Sequence, residues 1–565
     1  MATGEYVGFL DHDDELSLDA LYEVVSLLNR GPEADFIFSD KDKVNEQGER
    51  YEPHFKPDWS PDTFRGNNYL CHFTVIRKSL LDEVGGFRPG YEGSQDYDLY
   101  LRVTENARSI EHIPKILYHW RSVETSAAGD LANAKPYAFE SAKKALRDHL
   151  ERMGLKGEVE DGNYIGVYRV RYMIEGTPLV SIIIPTRDNV EVLKKCVESI
   201  LAKSTYGNYE LLVVDNQSAE EVTLSYFREL EAGGRVRIVP YDQSFNYSAL
   251  NNYAVTQARG EYLVFLNNDT EVITPGWIEA MLEFAKRRDV GAVGALLYYP
   301  DDTVQHAGVI IGICGVAEHV FRGLPRNKDG YFGRTKIIQN LSAVTAACLM
   351  MRKGVFEEIG GFDAGFSHAY NDIDLCLRTR DMGYVVVYTP YAELYHHESM
   401  SRDYETSPEK TIRFCKEEKL FFEKWREFIK KGDPYYNPNL TLFKRDFSMK
   451  NIYEMFGEEQ MNSLIRHSLW EKDTEIHRLN SSLWEKDTEI HRLNSSLWEK
   501  DAEIHRLHSS LWEKDAEIHR LNMELWQGKV SGKEKDIHIA RLHDMIDKKD
   551  ALIDRYLWKG GLSEC

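Results

Sequence analysis

Gly260-Glu261-Tyr262-Leu263-Val264-Phe265-Leu266-Asn267-Asn268-Asp269-Thr270-Glu271 decides the fold of this chain. An apolar run after glycine, closed by a polar cluster, reads as a strand buried on both faces. Thr274-Pro275-Gly276 then opens a helix, with Thr274 as N-cap and Pro275 as its first residue. Ligands in open α/β sheets collect beyond the carboxyl ends of strands, which is where Asp269 falls. The same pattern occurs earlier as Gly4-Glu5-Tyr6-Val7-Gly8-Phe9-Leu10-Asp11-His12-Asp13-Asp14-Glu15. The chain therefore carries one kind of strand end twice.

Further landmarks repeat in the same order. Gly85-Gly86-Phe87, Gln95-Asp96-Tyr97-Asp98-Leu99 and Leu117-Tyr118-His119 return as Gly360-Gly361-Phe362, Asn371-Asp372-Ile373-Asp374-Leu375 and Leu394-Tyr395-His396. Ahead of the second copy, strands at Leu179–Ile184 (stopped by Pro185), Leu211–Val214 and Val236–Pro240 alternate with helices near 190–200, 220–230 and 248–259. That alternation implies a doubly wound, mainly parallel α/β sheet. The expected organisation is a partial module at 1–155, a linker at 156–177, a complete module at 178–445, a linker at 446–468 and a coiled coil at 469–558. The coiled coil rests on Leu-Trp-Glu-Lys-Asp at Leu469, Leu483, Leu497 and Leu511, two heptads apart. Trp470, His477, Trp484 and His491 begin a stripe away from its seam. Self-association through the seam is expected, with the stripe free for an assembly component or a membrane interface.

Composition narrows the classes. The 565 residues, 42% hydrophobic and 12% aromatic, suffice for two or three folded domains. A net charge of -22 argues against general nucleic-acid binding, which needs basic surface. The seven cysteines lie scattered, with no Cys-x-x-Cys pair, which favours a reducing compartment. No basic-then-apolar leader begins the chain, and apolar stretches such as Leu341–Met351 are shorter than a membrane helix needs. The expected location is cytoplasmic, with the inner face of the cell membrane as the alternative.

The acids carry the chemistry. Asp269, flanked by amides at a strand end, offers the hard oxygen that Mg²⁺ or Mn²⁺ takes, and it could equally be a turn residue. Asp372 could act as a general base and Asp374 as a helix-start acid that complements the helix dipole. His396, equivalent to His119, is a candidate metal ligand. His306 and His319 have no ligand spacing in support. Asp215, ending a strand, could meet a ribose or base, or simply cap its turn. Neither a phosphate-loop lysine motif nor a dinucleotide glycine fingerprint is present, which removes the main support for kinase, ATPase and dehydrogenase readings.

Val180-Ser181-Ile182-Ile183-Ile184-Pro185-Thr186-Arg187-Asp188, Val213-Val214-Asp215-Asn216-Gln217-Ser218, Leu266-Asn267-Asn268-Asp269, Asn371-Asp372-Ile373-Asp374-Leu375 and Tyr395-His396-His397-Glu398-Ser399 together resemble glycosyltransferase family two. The likeness is greatest to tandem, rhamnosyltransferase-like members associated with bacterial surface polysaccharides. It covers roughly residues 1–444. The resemblance implies a GT-A fold and inverting transfer of a sugar from a nucleotide-diphosphate donor to a glycan or lipid-linked acceptor. By position, Pro185, Thr186, Asp215 and Asn216 would line the nucleoside. Asp269 would end the metal motif, with His396 as a metal or diphosphate contact and Asp372 as the base. The first acid of the family's Asp-x-Asp is Asn267 here, which leaves one carboxylate in the motif. The alternative is a non-catalytic sugar- or nucleotide-binding scaffold on a coiled-coil stalk.

Module one keeps Asp11, Asp13, Asp96 and His119 but lacks the nucleoside-binding half. Its site is expected to be vestigial, its first strand an exposed edge and its remnant loosely folded. The chain reads as a fragment, or as starting from an internal Met.

Overall fold

The computed structural model describes residues 2–122, 136–163, 166–397, 408–450, 512–513, 515–520, 522–523 and 532–559. The chain divides into two compact units, Met1–Asp403 with Glu417–Lys450, and Tyr404–Lys416 with Asn451–Cys565. The first unit holds both modules. In the second, the described helix Lys533–Lys559 places Lys549 Nζ 2.5 Å from Asp515. Most of the predicted coiled coil, and its Trp and His stripe before Trp512, lies outside the described residues. No described helix is long and apolar enough to cross a membrane.

Module two is built on a ten-stranded sheet. Its first half runs Val236–Pro240, Tyr209–Asp215, Val180–Thr186 and Tyr262–Leu266, all parallel. All five residues of Tyr262–Leu266 are buried, as a strand covered on both faces requires. Gly260 is needed at its entrance, because a Cβ there would lie 2.6 Å from the Ser181 amide nitrogen. Beyond this strand the sheet is mixed, which corrects the expectation of a mainly parallel one. Cys348–Arg352 lies antiparallel to Tyr262–Leu266 and to Val290–Tyr298, which in turn is parallel to Val385–His396. After Val290–Tyr298, residues 299–347 add the short strands Val304–His306 and Gln339–Leu341 to the same sheet before the chain runs back through Cys348–Arg352.

Several local expectations shift. The strand Val180–Thr186 runs through Pro185, which pairs with Val214 at the strand end, where a missing N–H matters least. The helix after the organising strand is Trp277–Ala285, capped at Gly276. Thr274 does not cap it, because its hydroxyl turns to Glu393, at 3.3 Å.

Module one repeats the second half of this sheet. Its order is Tyr6–Gly8, Thr74–Arg77, Phe36–Val44, Ile110–Arg121 and Glu15–Leu16. The pair directions follow the same series as in module two: antiparallel, antiparallel, parallel, antiparallel. Tyr6–Gly8 stands at the edge, as expected. The rest is well packed, against the expectation of a loose remnant: Phe36, Phe38, Phe64, Tyr97 and Tyr100 are buried. These residues share one continuous core with Val180, Trp277 and Phe284 of module two. The expected linker at 156–177 contains an antiparallel hairpin, Gly157–Asp161 with Tyr168–Tyr172. Its Tyr172 ring meets Phe284 edge-on, with centroids 5.5 Å apart, and Arg169 donates to Glu283 at 2.7 Å.

The two modules are also pinned by buried polar groups. Asp62 of module one pairs with Arg287 and accepts the Asn340 amide at 2.8 Å, while Asn340 Oδ1 accepts the Asp62 backbone N–H at 2.8 Å. Asn437 donates to Asp40 at 2.8 Å. Such groups are costly to bury unless fully partnered, so they fix one relative placement of the modules.

Candidate active site

The strand Tyr262–Leu266 ends at Asn267, and the short strand Thr270–Val272 then pairs with Val385–His396, Thr270 lying opposite His396. That register brings the Asp269 and His396 side chains together, with Oδ1 and Nε2 3.2 Å apart and both side chains buried. Asn267 Nδ2 lies 3.3 Å from the same ring nitrogen. The His397 amide donates to the Asp269 carbonyl at 2.8 Å and locks the turn. A carboxylate oxygen and an imidazole nitrogen at this spacing fit a divalent cation that draws its other ligands from a diphosphate and water. No group of three or more His, Cys, Asp or Glu suited to a metal occurs among the described residues.

Asp372 opens the helix Asn371–Asp381 and is half-buried. Its Oδ2 accepts the Ala346 amide at 3.0 Å. The next carbonyl, of Ala347, accepts the Asn267 amide at 3.1 Å. One short turn before Cys348 thus ties the acid of the helix to the motif of the strand. Asp374 differs. It is fully buried and spent on Arg378 Nε at 2.8 Å, Trp425 Nε1 at 3.0 Å and Lys424 Nζ at 2.7 Å. Of the two helix-start acids, only Asp372 is left with solvent access.

The nucleoside-side candidates lie on neighbouring parallel strands. Thr186 is buried, and its hydroxyl accepts from Asn268 Nδ2 at 3.1 Å, which links that side to the metal motif. Pro185 precedes it in the same strand. Asp215 accepts the Ser218 amide at 2.9 Å. Asn216 donates to the carbonyls of Tyr241 and Gln243 at 3.1 and 2.8 Å, so its amide nitrogen holds a loop, while its buried Oδ1 has no hydrogen-bond partner among the described residues.

The structure also joins residues that spacing did not. His306 and His319 face each other with Nδ1 atoms 3.1 Å apart. His306 Nε2 accepts the Thr345 amide at 3.4 Å, and burial keeps its imidazole well below the ordinary histidine range. The pair therefore supports the 345–347 turn. Sequence gave no sign of it, since the contact spans a strand connection.

Module one places its matching residues differently. Glu15 lies opposite His119, whereas the equivalent Glu271 lies opposite Tyr395, so the register slips by one residue. His119 Nδ1 is held by Asp42 at 2.5 Å, and the buried Nε2 has no hydrogen-bond partner among the described residues. Asp13 sits 3.6 Å from the exposed His12. Asp11 receives its contact from Tyr118, whose hydroxyl meets the Asp11 amide at 3.3 Å. Asp96 accepts from Asn68 at 3.0 Å, and burial pushes its carboxyl up. The pairing of acid and histidine seen in module two is not reproduced.

Residues 181–360 match the family model described as glycosyl transferase family 2. The uncharacterized protein y4gI of Sinorhizobium fredii is 49% identical over 458 residues, 80% of this chain and 50% of that protein. The O-antigen biosynthesis protein RfbC of Myxococcus xanthus is 42% identical over 449 residues, 79% of this chain and 34% of that protein. An N-acetylglucosaminyl-diphospho-decaprenol L-rhamnosyltransferase of Mycobacterium tuberculosis is 26% identical over 220 residues, 36% of this chain and 70% of that enzyme. The chain spans half the length of the first of these relatives and about a third of the second. The stretch that holds the organising strand, Asp269 and the 345–347 turn lies inside the residues that match glycosyl transferase family 2.

Proposed function

We propose that module two transfers a sugar from a nucleotide-diphosphate donor to a hydroxyl of a growing bacterial surface glycan, with inversion at the anomeric carbon. The observation that carries this reading is the convergence of Asp269 and His396 at 3.2 Å, one turn away from the solvent-accessible Asp372. The relatives named for O-antigen biosynthesis and for rhamnosyl transfer support the substrate class.

Asp269 and His396 would hold Mg²⁺ or Mn²⁺. When bound, that ion neutralises charge developing on the departing diphosphate. Thr186, Asp215 and the strand ends around them would seat the nucleoside. Asp372 would take the proton of the acceptor hydroxyl as its oxygen bonds to the anomeric carbon and the bond to the diphosphate breaks. A single displacement of this kind inverts the centre.

The reading is tested by incubating the full chain with a panel of nucleotide sugars, Mn²⁺ or Mg²⁺ and glycan acceptors. The anomeric configuration of the product is then read by NMR. An inverted product, lost on chelation, is expected. A retained configuration, or calorimetry showing no nucleotide bound at all, would contradict it.

A further inference from the structure

Asp372 is preceded by a loop, Ser367-His368-Ala369-Tyr370, whose backbone is unusual. Tyr370, immediately ahead of the helix, adopts φ +61°, the left-handed region that a bulky residue enters only when its surroundings impose it. Carbonyls around the loop are satisfied from the nucleoside half. The Tyr247 amide donates to Ser367 O at 2.9 Å, Ser248 Oγ to Phe366 O at 2.5 Å and Asn246 Nδ2 to Ala364 O at 2.9 Å. The amides are satisfied by one carboxylate. Glu417, buried, accepts Ser367 N–H at 2.9 Å and Ser367 Oγ–H at 2.5 Å through Oε1, and His368 N–H at 3.1 Å and Ala369 N–H at 2.6 Å through Oε2.

We infer that Glu417 is a positioning residue for the reaction, clamping the loop so that Asp372 faces the acceptor. The inference rests on the reading of Asp372 as base and adds the group that aims it. Charge-assisted bonds from three consecutive amides and a hydroxyl suit a carboxylate, since an amide side chain would turn a donor towards donors. Lys424 and Trp425, two turns further along, fasten the same structure through Asp374. Module one supplies an internal control. The helix Pro136–Arg152 follows its last long strand and meets the matching loop through Ser94 Oγ on the Ala138 carbonyl, at 2.8 Å, and through Asp148, which takes the Tyr91 side-chain hydroxyl rather than a backbone amide. Among the described residues, no carboxylate of that helix receives the amides of residues 91–94. The clamp accompanies the module whose acid and histidine converge.

Glu417→Gln in the full chain should lower kcat about 10- to 100-fold, the scale of loss when a reacting group is slightly misplaced. The donor KM and the nucleoside diphosphate Kd should stay within about twofold, because the clamp touches neither. Ser367→Ala, which removes one of four bonds, should cost a smaller, several-fold part of kcat at unchanged melting temperature, and it serves if the first variant folds poorly. Unchanged kcat in Ser367→Ala, or a Glu417→Gln enzyme whose KM and Kd rise along with the kcat loss, would overturn the inference. An active Asp372→Asn enzyme would instead overturn the base reading itself.

Discussion

In module two the strand Tyr262–Leu266 has a neighbour on each side and all five residues are buried, whereas in module one Tyr6–Gly8 has one neighbour and lies at a sheet edge. The difference extends to the following helix. Trp277 and Ile278 are fully buried, while Leu21 and Tyr22, at the matching positions, are 67% and 71% exposed. Trp277 Nε1 donates to Ser204 Oγ at 2.9 Å, at the end of the helix Val190–Lys203. Where the first half of the module covers the strand and helix, the turn beyond them is fixed and Asp269 meets His396. In module one the register differs by one residue and His119 turns to Asp42.

That contrast can be broken in several ways. Trp277→Ala should cost about 3–5 kcal/mol of stability, as large-to-small changes in packed cores do, read by urea unfolding. Next is the buried link between modules. Burial alone would raise the Asp62 carboxyl, but Arg287 and Arg65 beside it hold it below the ordinary carboxylate range. Its contribution is therefore present above about pH 4 and lost as pH falls through the lowered value. Arg287→Met should cost about 3 kcal/mol at pH 7, by leaving Asp62 with too little positive charge. The gap to wild type should narrow as pH falls, because the stranded carboxyl protonates at a higher pH than the paired one; a gap constant with pH would show that the pair carries no charge energy. Asp269→Asn should lower kcat on the order of 10²-fold, the usual loss of one electrostatic stabiliser. Asp13→Asn should leave turnover unchanged. Equal losses in the two would erase the distinction between modules. Smallest of all, Leu21→Ala should move stability by less than about 0.5 kcal/mol, as exposed positions do.

Much of this was legible in the residues. The run Tyr262–Leu266 announces a doubly buried strand, and Gly-Gly-Phe, Asp-x-Asp and Leu-Tyr-His recur in the same order in two segments whose strand pairings follow the same series. Periodicity reports what a strand or helix buries, so the element order could be read. It does not report partners distant in the chain. The shared core, the Asp62–Arg287 pair and the grip of Glu417 on residues 367–369 each join segments far apart in the sequence. The register slip in module one was equally hidden, because Asp13 and His119 keep their identities while Asp42, a residue outside every motif, captures the histidine.

The most direct test compares the two matching acids in one assay. Turnover of the nucleotide-sugar donor onto acceptor should be measured for the full chain, for Asp372→Asn and for Asp96→Asn, each checked for native melting temperature. Loss of a general base should reduce kcat by about 10²–10⁴ in Asp372→Asn, while Asp96→Asn should keep nearly all of it. Activity that survives Asp372→Asn but dies in Asp96→Asn would contradict the assignment of catalysis to module two.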